Sequence, residues 1–249
     1  MIDFFRALRI WAGLERTAES NLRLGMMLSF VAGATNAGGF LAVGLYTSHM
    51  TGVLSSMADN LVLGNFLLTL GALAAMAAFL AGAMTTAWLI NWGLRKQLNS
   101  AYCLPLLLES LMLLVFGVFG VFGASIKAFS ILLVPMTVMI LCFIMGLQNA
   151  VITKISKSEI RTTHVTGMIT DLGIELGKLV YINDRSMPTK VLANRPKLRA
   201  LLLLIGSFSV GGLVGALAFK YWGYTMTLSL AVLVSLPTAG PLLADWRRV

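Results

Sequence analysis

The chain has 249 residues, 58% of them hydrophobic and 12% charged, with a net charge of +9 and a mean hydropathy of +0.86. A soluble domain carries about 25% charged residues, so this chain cannot solvate a globular surface, and its apolar runs and two cysteines exclude a disordered chain and a disulfide scaffold. What remains is an all-α, polytopic membrane protein, because apolar runs satisfy their backbone in lipid as helices.

Residues 1–23 interleave Arg6, Arg9, Arg16 and Arg23 with Asp3, Glu15 and Glu19. They lack a continuous apolar core, so they read as a cytoplasmic segment and not as a cleavable signal peptide. The first span runs from Leu24 to Leu45 and contains Asn36. Ser48-His49-Met50-Thr51-Gly52 follows, then a stretch to Leu63 too short to cross a hydrocarbon core of about 30 Å. Val53, Leu54, Met57 and Leu61 give it one apolar face, and Ser55, Ser56, Asp59 and Asn60 the rest.

The second span, Phe66 to Ile90, ends at Arg95 and Lys96; the third, Leu104 to Phe122, carries Glu109 about 7 to 8 Å from its beginning. Glu109 either snorkels to the headgroups or pairs with the basic connection further on. The fourth span, Ser130 to Ile152, contains Gln148 and Asn149, and Thr163-His164-Val165-Thr166-Gly167 follows it. A second amphipathic segment then has Met168, Ile169, Leu172, Leu176 and Leu179 on one face, with Asp171, Glu175 and Lys178 on another. The expectation is a partly buried Asp171 and an interfacial Glu175–Lys178 pair. Spans five and six run from Ala200 to Phe219 and from Thr225 to Leu243. Gly206, Gly211, Gly212 and Gly215 suit helix packing in the fifth. Trp88, Trp92, Tyr102, Tyr221, Trp222, Tyr224 and Trp246 fall at proposed span ends, as interfacial aromatics do.

With six spans and both termini inside, Lys127 and Lys220 are the basic residues left outside. This matches the retention of Lys and Arg on the cytoplasmic side, so the charge reports orientation and does not call for nucleic acid. Lys190 to Arg199 could also hold anionic headgroups.

The halves repeat. Phe30, Gly33 and Asn36 match Phe143, Gly146 and Asn149 at an offset of 113, and Ser48 to Gly52 matches Thr163 to Gly167 at 115. Three crossings per unit predict an inverted-topology repeat, with a first membrane repeat over 24–124, a second over 125–243 and a cytoplasmic tail at 244–249. Each repeat includes a short amphipathic or re-entrant helix. The threonines could cap helix starts, and the glycines could let a ligand or a backbone approach. Oriented N–H groups there favour an anion or the acceptor end of a neutral solute.

The strings MGLQNAVITKIS and RTTHVTGMITDLGIELGKL, with TSHMTG, resemble the YoaK family of bacterial membrane proteins, defined by a domain of unknown function, from about residue 22 to 243. The resemblance implies about six transmembrane helices in the inner membrane. Many relatives have Asn where this chain has Val53.

The functional expectation is a transporter or channel-like permease for a small solute or ion, not an enzyme. Its site would lie between the two helix starts and use His49, Thr51, Gly52, Gln148, Asn149, His164, Thr166, Gly167 and Asp171. Glu109 and Glu175 are coupling or ion-pair candidates. Each histidine could equally pack or cap at its helix start, and each amide could join two helices. No cofactor or metal is expected, since two histidines without further spaced ligands do not make a zinc site. The partners are the lipid bilayer and the solute, with room for an oligomer. The alternative is a non-transporting sensor, scaffold or assembly factor.

Overall fold

The computed structural model describes residues 17–123, 130–184 and 189–247; the charges of Arg6, Arg9, Arg16, Lys127, Arg185 and Arg248 lie outside the described residues. Every regular element among the described residues is helical. The helices are α1 (Ala18–Val43), α2 (Met50–Val62), α3 (Phe66–Arg95), α4 (Cys103–Gly123), α5 (Ser130–Ile155), α6 (Val165–Val180), α7 (Arg195–Trp222), α8 (Met226–Ser235) and α9 (Ala239–Trp246).

Helix ends follow hydrogen bonding more than hydropathy. α1 starts ahead of its apolar run because Thr17 Oγ1 accepts from the Ser20 N–H at 3.1 Å and Ser20 Oγ accepts from the Thr17 N–H at 3.0 Å. It stops at Gly44, whose φ of +71° is left-handed. α7 starts early for a similar reason: Asn194 caps it through the Lys197 N–H, and Pro196 occupies its first turn. The expected sixth span is broken at Pro237 into α8 and α9 by the 3-10 turn Leu236–Thr238.

Among the described residues, five helical stretches are long and apolar enough to cross a membrane: Ala18–Val43, Phe66–Arg95, Cys103–Phe122, Val134–Ile155 and Arg195–Trp246. Large apolar side chains face outward along them, with Leu67 83% and Trp88 68% exposed. A soluble protein would bury such surface. The chain is a multi-pass membrane protein. The fifth stretch is no single rod, because Phe219 and Met226, about 10 Å apart on a straight helix, both lie against Gly38. The chain folds back at Gly223.

The core joins Leu24, Leu28 and Val31 of α1 to Leu106 and Leu113 of α4, Ile144 and Met145 of α5, and Leu230 and Val234 of α8. α1 runs parallel to α7: Gly25 meets Leu204, Gly33 meets Phe208, and Ala34 meets Gly215. α3 runs parallel to α5 in the same manner: Gly146 packs on Phe79, Gly82 on Phe143, and Thr86 Oγ1 donates to the Leu147 carbonyl at 3.0 Å. α1 and α5 are antiparallel, since Leu28 meets Gln148 while Gly39 meets Leu141. α4 and α8–α9 are antiparallel too, joined from Ser100–Asp245 through Ser110–Ala231 to Gly117–Thr227. The first helix of each half thus packs on the other half, not on its own. Gly206 has nothing near it and faces outward, which corrects its expected packing role; Gly211 and Gly215 do meet helix backbone.

Candidate functional site

Two corners of the bundle are built alike. In the first, Asn36 Oδ1 on α1 accepts from the Ser48 N–H at 3.2 Å and from Ser48 Oγ at 3.0 Å. In the second, Asn149 Oδ1 on α5 accepts from Thr163 Oγ1 at 2.6 Å. His49 and His164 come next and are the N-cap residues of α2 and α6, with φ of −92° and −82°. The carbonyl of each accepts the first helical bond at 3.1 Å, from Val53 and from Met168. Just upstream, Thr47 and Thr162 are fully buried, and neither hydroxyl has a partner among the described residues. The sequence carried that signal, because the 115-residue offset also pairs these threonines.

The glycines and threonines of the motif do something other than expected. A Cβ on Gly52 would collide with the His49 ring, and one on Gly167 with the His164 ring. The space that glycine leaves is therefore taken by the motif's own imidazole, folded over the first turn, and not by a ligand or a neighbouring backbone. Thr51 and Thr166 lie inside their helices and are exposed, and no side chain caps either helix start. The first-turn N–H groups of Met50, Thr51 and Gly52, and of Val165, Thr166 and Gly167, consequently have no protein acceptor among the described residues. They form two positively polarised helix ends.

A cleft lies beside one of the two corners. At the second corner, this cleft of about 320 Å³ is lined by Arg161, His164, Gly167 and Asp171 over a floor of Leu201 and Leu204. No residue of the first motif lines this cleft. α2 packs instead on α3, where Val53 is buried against Ala75 and Cys142. A polar side chain at 53 would be buried in that apolar cluster.

The expected Glu175–Lys178 pair forms and Asp171 is partly buried, but Glu175 is the more deeply buried of the two acids. Asp171 is half exposed and pairs with Lys197 at 3.3 Å, whereas Glu175 is 2% exposed. Glu175 Oε2 accepts from the Asn194 N–H at 2.7 Å, and Oε1 from Lys178 Nζ at 2.9 Å. The Asn194 N–H foremost, and then Lys178, hold its carboxyl below the usual range. Glu175 therefore anchors the end of α6 to the start of α7. Spacing along α6 could not reveal this, because the donor belongs to the cap of another helix.

The amides bond to backbone carbonyls through their nitrogens, but Gln148 Oε1 is buried with no partner among the described residues. Gln148 is fully buried and donates from Nε2 to the Leu28 carbonyl at 3.1 Å, tying α5 to α1. Asn149 Nδ2 donates to the Met145 carbonyl at 2.8 Å. Glu109 neither snorkels nor meets the basic connection: it is fully buried, with no hydrogen-bond partner or ion pair among the described residues. Among the described residues no cluster of three or more His, Cys, Asp or Glu could hold a metal.

The sequence from 24 to 239 matches the family model described as "Protein of unknown function (DUF1275)". The chain belongs to the DUF1275 family. That match covers both repeated corners of this DUF1275 protein and agrees with the resemblance carried by its motif strings. No curated protein and no solved structure matches the chain.

Proposed function

We propose that this DUF1275 protein is a permease for a small solute or ion. It crosses the bacterial inner membrane six times as two inverted repeats of three, with both ends in the cytoplasm. The alternation of helix directions supports this reading. So does the basic end of the bundle, where Arg23, Lys154, Arg195 and Arg199 gather near the helix ends.

One observation carries the proposal: the Asn–hydroxyl–His corner occurs twice, each copy leading into a short helix whose first-turn N–H groups have no acceptor among the described residues. α2 packs on α3 and α6 on α7, so under the inverted topology these positive ends point inward from opposite faces. Such paired helix starts are how inverted-repeat transporters hold solutes. We assign His49, Thr51 and Gly52 to an outer half-site. His164, Thr166, Gly167 and Asp171 form an inner one that includes the cleft, and Arg161 favours an anionic or acceptor-rich solute there. Alternating access moves one interleaved helix pair, α1–α7, against the other, α3–α5. No nucleotide-binding motif is present in the sequence, so gradients supply the drive.

Vesicles containing the purified protein, challenged with small anions, amines and neutral solutes, test the reading. Flux above empty vesicles that falls in His164→Ala and Asp171→Asn supports it, and equal flux in all samples rejects it for that panel. The cleft lined by Arg161, His164 and Asp171 favours a second reading, a membrane sensor or scaffold that uses that cleft alone. In that case the first-motif variant His49→Ala would leave ligand binding unchanged.

A further inference from the structure

Glu109 lies in the first third of α4, six residues past its start at Cys103. Ser100, in the turn before that helix, is held by Asp245, and six residues of helix from Cys103 place Glu109 about 9 Å along the axis. Its side chain is 0% exposed, and both carboxyl oxygens are unpartnered among the described residues. Leu106 and Leu113, one turn away on either side, are also fully buried. The adjacent hydroxyl is already committed, because Ser110 Oγ donates to the Ala231 carbonyl at 2.8 Å.

The helices around it offer no counter-charge. α8 has no ionisable side chain. α5 has Cys142 and Lys154, and Lys154 Nζ, at the helix end, donates to Asn91 Oδ1 at 2.9 Å. α3 has Arg95, in its last turn. Tyr224 lies in the turn that packs against Gly120, and Asp245 of α9 accepts from Asn99 and Ser100. None of these bonds to Glu109.

An uncompensated carboxylate in such surroundings is strongly disfavoured by lost solvation, so the group needs a positive partner. A metal cation of the hard kind requires six or so oxygen ligands, and none is gathered here. A proton requires only the carboxyl itself. We infer that Glu109 is a proton-binding site, neutral in this packed state and exchanging its proton with water when the helices around it separate. Intramembrane acids at such positions mark ion pathways. Its use as the coupling site rests on the permease reading; the proton site itself does not.

The full chain in lipid vesicles is treated with dicyclohexylcarbodiimide, which attacks protonated carboxyls in apolar settings, and labelled peptides are read by mass spectrometry across pH. The infrared carbonyl band of a protonated acid is followed in parallel. The expected result is labelling at Glu109 at neutral pH that declines at alkaline pH, with a matching band lost in Glu109→Gln. Absence of both signals from wild type, or labelling indifferent to pH, overturns the proposal. Protection of Glu109 by sodium or potassium at fixed pH also overturns it, in favour of a metal cation. Glu109→Asp, which keeps a titrating group, should retain a pH-dependent band even if Glu109→Gln folds poorly. Solute flux in the same vesicles tests the permease reading alone.

Discussion

Gly146 on α5 packs directly on the carbonyl of Phe79 on α3, so closely that any Cβ at 146 would overlap the oxygen. Gly33 stands in the same relation to Phe208, and the reciprocal pairs Gly82–Phe143 and Gly211–Phe30 complete both crossings. Four glycines therefore set the spacing of the two parallel helix pairs. Backbone cannot yield as a side-chain tip can, so a methyl group here must separate the helices.

Gly33→Ala and Gly146→Ala should each destabilise the protein by about 1–3 kcal/mol, the usual cost of overpacking, and by similar amounts because the crossings match. Gly206→Ala, where nothing lies within 4 Å, should be neutral or slightly stabilising. Thermal unfolding of the detergent-solubilised variants checks this. Equal behaviour of all three would contradict the packing.

Gly52→Ala and Gly167→Ala should displace the imidazoles of His49 and His164 rather than unfold the chain, because a ring can rotate away where a carbonyl cannot. These are the protein's only two histidines, so acylation by diethyl pyrocarbonate reports them cleanly. Each variant should acylate its own histidine faster than wild type and leave the other unchanged.

The Asn149–Thr163 bond is a partly buried tether between α5 and the start of α6. A double-mutant cycle with Asn149→Ala and Thr163→Val should give a coupling of about 1 kcal/mol, the net value of a neutral hydrogen bond. The Asn36–Ser48 cycle should give a coupling of the same sign. Additive effects in either cycle would mean that the corner is not held by that bond.

Glu175 makes a pH-dependent contribution whose sign is fixed. Its folded-state pKa is lowered from 4.5, first by the Asn194 N–H and then by Lys178. The unfolded chain therefore binds the proton more readily. The stabilisation is fully present above the unfolded value and is lost as pH falls through the lower folded one. Protease cleavage near the α6–α7 connection should rise in wild type as the pH drops below about 4.5, whereas Glu175→Gln should be cleaved readily at neutral pH and change little with acid.

The amino-acid sequence by itself determined that the chain enters a membrane as helices, because hydropathy and sparse charge are properties of composition. It determined the repeat as well, since Asn36–Asn149 and His49–His164 stand at fixed offsets whatever the packing. Helix starts at Thr17 and Asn194 escaped a hydropathy reading because caps depend on single hydrogen bonds, not on apolar windows. Only the tertiary structure decided which faces meet. It buried Glu175 more deeply than Asp171, filled the space beside Gly52 with the chain's own histidine, and left Glu109 without a partner among the described residues. Each of these depends on groups far apart in the chain, and local spacing carries no information about what another helix brings to the contact.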